Sequence, residues 1–143
     1  MFTRVVFAAL LSFPPSAEAV ELHHITVRTG TEGLSPVTLT VTNAGNEPIA
    51  CNADIAHWYS LELATAASGA ALKIELWFDP KTGTYAALND KHENLPVERL
   101  WCGLAGRAYA TRALIPLERH AQAQPATEQA LTCSSGEERL ACR

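Results

Sequence analysis

The chain has 143 residues, of which 48% are hydrophobic, 18% charged and 7% aromatic, with a formal net charge of -4. This balance excludes a disordered tail, a collagen-like repeat and a multidomain enzyme, and it suits a small globular domain. Lys and Arg are not clustered, so the footprint that binds nucleic-acid phosphates is missing and no nucleic-acid partner is expected.

The first segment reads as an export signal. Arg4 supplies a positive charge, the stretch from Val5 to Phe13 is apolar, and Pro14, Pro15 and Ser16 interrupt it. Ala17-Glu18-Ala19 is an A-x-A cleavage site, so residues 1–19 are predicted to be a signal peptide and Val20 the first mature residue. The apolar stretch is too short for a bilayer of ~30 Å, and no later stretch approaches ~18 residues. The expectation is a periplasmic or secreted protein with no membrane anchor after cleavage.

In chain order, Ile25 to Val27 is a short strand ended by Gly30 and Gly33. Pro36 to Asn43 alternates strictly, with Val37, Leu39 and Val41 on one face and threonines on the other, which is the period of a half-buried strand. Asn43 to Asn46 is a turn, followed by strands over 48–52 and 56–64. Leu72 to Asp79 alternates again, with Leu72, Ile74, Leu76 and Phe78 facing in. Asp79-Pro80-Lys81-Thr82-Gly83 predicts a bulged hairpin in which Gly83 takes a positive φ and residues 84–88 return as a strand. Residues 97–102 and 107–117 are the last two predicted strands, separated by Gly103 to Gly106. No segment before residue 118 keeps a 3.6-residue apolar period. The composition then turns polar and rich in Ala and Gln, so residues 119–143 are expected to be a polar linker and a small C-terminal loop.

The cysteines are Cys51, Cys102, Cys133 and Cys142. An even count in an exported domain favours two disulfides, with three possible connectivities. The preferred pairing is Cys51–Cys102 with Cys133–Cys142, because the second pair is close in sequence and sits in a separate tail. Zinc ligands usually stand two to four residues apart, and no such spacing occurs. No C-x-x-C redox motif occurs either.

Seven or eight short strands with a turn every ~8–12 residues argue for an all-β, antiparallel β-sandwich over residues 20–118. Strand number and threonine-rich alternation resemble immunoglobulin-like architecture. That resemblance makes Cys51–Cys102 an inter-sheet bridge. Two details depart from it: Trp58 follows Cys51 too closely, and Leu100 stands where a tyrosine corner would place Tyr.

Strand parity supplies a candidate surface. If Cys102 and Leu100 face in, then Val97, Arg99 and Trp101 face out. By the same rule Trp58, Ser60 and Glu62 face out, as do Lys73, Glu75, Trp77 and Asp79. Trp58, Trp77 and Trp101 then form an aromatic platform, with Arg99 and Arg107 as guanidinium contacts to a protein partner. The bland alternative pairs the arginines with Glu98, Glu75 or Glu62 across strands. Signatures of serine hydrolases, zinc peptidases and nucleotide-binding loops are missing, and no cofactor is expected. His57 near Asp54 and Ser60 invites a catalytic triad, but residues 57 and 60 have opposite strand parity. The blue-copper pattern lacks its methionine and its ligand loop. The expected function is therefore non-catalytic binding of a protein partner in the periplasm or extracellular space. One alternative is inhibition of a secreted hydrolase through the Gly30–Gly33 or Asn89–Asn94 loop. Another is a metal-binding accessory role for His23, His24 and His57.

Overall fold

The computed structural model describes residues 27–56 and 59–143. The expected signal peptide, the strand residues Ile25 and Thr26, and His23, His24, His57 and Trp58 lie outside the described residues. Among the described residues there are nine strands and no helix. They are β1 (Ser35–Asn43), β2 (Ile49–Ile55), β3 (Tyr59–Ala66), β4 (Ala71–Asp79), β5 (Thr84–Leu88), β6 (Asn94–Leu104), β7 (Ala113–Ile115), β8 (Glu128–Ser135) and β9 (Leu140–Cys142).

The alternation of β1 and β4 is what the sequence predicts. Val37, Leu39 and Val41 pair with Leu76, Ile74 and Leu72, and all six are buried. Burying each such side chain contributes ~1.5–3 kcal/mol, which outweighs any single turn or surface contact. At the β4–β5 hairpin Gly83 takes a φ of 73°, and its amide donates to Asp79 O at 2.8 Å. The turn after β1 is held from within by fully buried Asn43. Its Nδ2 donates to Glu47 O at 2.8 Å and to Ala67 O at 3.1 Å, while its Oδ1 accepts from the Gly45 amide at 3.0 Å. One polar side chain thus ties the β1–β2 turn to the β3–β4 turn and leaves little of its own hydrogen-bonding capacity unused.

The strands form one mixed sheet in the order β3-β2-β6-β5-β4-β1-β8-β9, with β7 paired to β6. This differs from the expected pair of antiparallel sheets, because β6 is long enough to serve both halves. One edge of β6 pairs with β2. The other pairs with β5 at Asn94–Val97 and with β7 at Leu100–Cys102. The inward residues of β1, β2, β4 and β6 share a single core, so the sheet curls upon itself. The β9 end of the sheet meets the segment before β7, where the Leu140 amide donates to Thr111 O at 2.8 Å.

Both disulfides have the preferred connectivity, which is consistent with an oxidising compartment. Cys51 and Cys102, however, are direct neighbours on paired antiparallel strands, with Cα atoms 4.0 Å apart. The expected inter-sheet bridge is therefore a cross-strand bridge within one sheet. Cys133 and Cys142 are likewise paired across β8 and β9. The expected linker gives way to structure too: β8 adds to β1 in parallel, and Cys133 and Leu140 enter the core.

Two bulges reset the parity. β2 and β3 slip between Cys51 and Asn52, and β2 and β6 slip between Asp54 and Ile55. In the second, Asp54 pairs with Arg99 and Ile55 with Val97, which leaves Glu98 as the extra residue. Val97 consequently points into the core with 2% exposure, contrary to the outward position that simple alternation gives it.

Candidate functional site

The outward face of β2, β6 and β7 carries a cluster of aromatic and arginine side chains. Trp101 stands between Asn52 of β2 and Leu114 of β7, on the side away from the core. Parity places it correctly, but its solvent exposure is only 4%, because the segment after β6 folds back over it. Tyr109 from that segment meets the indole edge to face, with ring centroids 5.9 Å apart. The expected exposed indole is therefore a buried base, and the exposed aromatic is Tyr109, at 65%.

The covering segment is braced throughout. The Leu104 amide donates to Thr111 Oγ1 at 2.9 Å, and that hydroxyl donates to Arg107 O at 3.0 Å. The Ala105 amide reaches Pro48 O at 2.8 Å. Arg107 pairs with Glu47 at 3.0 Å, and both side chains are largely exposed. A contact of that kind contributes ~0–1 kcal/mol and orients the segment more than it stabilises the fold. The Arg112 guanidinium lies 4.0 Å from the Tyr109 ring centroid and donates to Tyr109 O at 2.7 Å. Leu114, beside Trp101, is 61% exposed.

Asp54 organises the other side of the indole. It accepts from Trp101 Nε1 at 3.0 Å, from Ser60 Oγ at 2.7 Å and from Arg99 Nε at 2.9 Å. Burial raises its pKa, but the hydrogen bonds of Ser60 and Trp101 and the charge and hydrogen bond of Arg99 outweigh that effect. The carboxyl ionises below its ordinary value of 3.8. The stability it contributes is complete above that unfolded value and is lost as the pH falls from there through the lower folded value. Asp54→Asn is therefore expected to flatten the loss of stability as the pH falls below about 4, read from denaturation midpoints at each pH. Identical slopes for the two proteins would refute the network. The Ser60 hydroxyl is held by this carboxylate, and His57, the third member of the triad the sequence invites, lies outside the described residues.

Of the five sequence-derived contact residues, the four that are described fall at separate places, except that Arg99 and Trp101 meet at Asp54. Arg107 lies on the covering segment with Glu47, so the arginines find acidic partners other than the glutamates expected of them. Trp58 lies outside the described residues. Trp77 is half-buried on β4 and aligns through Ala86 with Pro96, which is five residues, or ~16 Å, before Trp101 along β6. Tyr109 and Leu114 are not among the contacts that parity picks out, and Arg112, which the sequence groups with Arg99 and Arg107 as a candidate carboxylate or phosphate site, meets Tyr109 instead. The one legible signal was the short repeat of Arg, Tyr and Arg over 107–112, which reads equally well as a strand. Among the described residues no group of three or more His, Cys, Asp or Glu stands where it could hold a metal ion. Comparison with known proteins returns no protein family, no curated protein and no solved structure that matches the chain.

Proposed function

We propose that the protein is an exported, non-catalytic binding module that recognises a protein partner through Tyr109, Arg112, Leu114 and Arg99. The carrying observation is the fixed, exposed Tyr109 ring, seated on the Trp101 edge and flanked by the Arg112 guanidinium. Aromatic and arginine side chains dominate binding energy when they are ordered before the encounter, since little rotamer entropy is then lost. The adjacent exposed Leu114 adds an apolar contact of the kind that is excluded from water on docking. The two disulfides support a periplasmic or extracellular setting for this encounter.

The test is capture of a partner from the periplasm or culture medium by the immobilised mature chain, followed by affinity measurement with that partner. Tyr109→Ala and Arg112→Ala are each expected to weaken binding about tenfold with unchanged melting temperature. No captured partner, or one bound equally well by both variants, would refute the reading. A captured hydrolase that is inhibited, and that releases when the 89–94 turn is altered, would favour the inhibitor alternative. That turn is braced against Gly30, whose amide donates to His92 O at 2.9 Å.

A further inference from the structure

A second outward surface is built differently and carries an inference independent of the Tyr109 patch. Ala56, Pro96, Ala86 and Trp77 form a row across the sheet: Pro96 pairs with Ala86, Ala86 pairs with Trp77, and the Ala56 amide donates to Pro96 O at 3.3 Å. Outward positions of such a sheet are ordinarily polar. Here they are apolar, and the two alanines leave a trough beside the indole. Residues 27–34 form a strap that pairs antiparallel beside residues 92–94 and borders the trough. The Asn94 amide donates to Arg28 O at 2.8 Å, its Nδ2 donates to Gly30 O at 3.1 Å, and Thr29 bridges to Glu93. Val27 and Leu34 of the strap line the space from the other side.

The cavity between strap and sheet measures about 370 Å³, within the ~300–1,000 Å³ range of small-molecule sites. Three inter-strand steps give the row a length of ~14 Å. Arg28 and Asp79 stand at the Trp77 end, 3.6 Å apart. They are not equivalent. The Asp79 side chain is 12% exposed and already accepts the Lys81 amide at 2.9 Å, whereas the Arg28 side chain is 64% exposed and meets Asp79 at the long end of ion-pair range. The accessible polar group at this end is therefore a guanidinium, whose fork geometry matches a carboxylate.

We infer that this trough binds a small linear amphipathic carboxylate, such as a medium-chain fatty acid. Its acyl chain lies along Ala86, Pro96 and Ala56, and its carboxylate meets Arg28. The probe is decanoate, compared with decanol and decylamine by calorimetric titration of the mature, oxidised protein. Decanoate is expected to bind one to one, tighter than either control. Arg28→Gln is expected to weaken decanoate about tenfold and to leave decanol unchanged. Ala86→Leu fills the trough and is expected to abolish binding of decanoate and decanol alike. If that variant does not fold, the contrast between decanoate and decanol in Arg28→Gln decides the question alone. No decanoate binding at about 1 mM, decylamine binding as tight as decanoate, or an unchanged decanoate affinity in Arg28→Gln would each overturn the inference. None of these outcomes bears on Tyr109, so the two surfaces succeed or fail separately.

Discussion

Replacing both Cys51 and Cys102 by alanine is expected to remove about 4 kcal/mol of stability, the loop-entropy value for a closure of 51 residues. Domains of this size have ~5–15 kcal/mol in total, so the change is a large fraction of what is available. The same model gives about 2.5 kcal/mol for Cys133–Cys142, which closes only 9 residues. The larger bridge also fixes pairing. It joins residues already opposite each other on β2 and β6, directly before the slip of β2 against β3 at Cys51/Asn52 and ahead of the slip of β2 against β6 at Asp54/Ile55. A strand pair with irregular register has more alternative alignments than a regular one, and a covalent cross-link at one position removes them. The double substitution avoids leaving a reactive single thiol. Urea unfolding read by circular dichroism measures the effect. A change below about 1 kcal/mol would mean that the ladder alone holds the register and that the chain-entropy account fails here.

Gly103→Ala is expected to cost about 3 kcal/mol, at the upper end of overpacking penalties. A methyl group at Gly103 would lie 2.0 Å from Ala108 O and 2.7 Å from the Ala108 carbonyl carbon. Those are backbone atoms, with no side-chain rotation available to relieve them. The covering segment must lift, and it is the segment that carries Tyr109. The substitution should therefore also release Tyr109 from Trp101, which near-ultraviolet circular dichroism detects as loss of the tryptophan signal. Unchanged stability together with an unchanged tryptophan spectrum would show that the segment does not pack on β6 as described.

Local pattern made part of this molecule legible. The alternation of Val37, Leu39 and Val41 and of Leu72, Ile74, Leu76 and Phe78 was legible because each strand faces the core on one side only. The disulfide partners followed from their spacing, since the tail cysteines are near neighbours. Three features were illegible for physical reasons. Glu98 inverts the parity of Val97 relative to Trp101, and a bulge leaves no trace in hydrophobic period. Trp101 is covered by a segment whose path depends on the absence of a side chain at Gly103 and on a hydrogen bond from Leu104 to Thr111, neither of which periodicity reports. The β8 residues Glu128, Gln129 and Ala130 lack an apolar stripe because their place is set by backbone pairing with β1. The candidate sites share this character. Tyr109 and the strap near Trp77 are both defined by what loops do around a sheet, and loops obey tertiary contacts more than local rhythm.

The parallel seam between β1 and β8 has a consequence for the order of assembly. β8 follows β1 only after six other strands, so this seam closes later than that between β1 and β4 as the chain emerges. Until then the long β1 edge has a row of unanswered amides and carbonyls, the surface that recruits foreign strands. A nascent chain stalled before its tail would thus be a sticky species, and shielding that edge is a service such a chain requires from its surroundings.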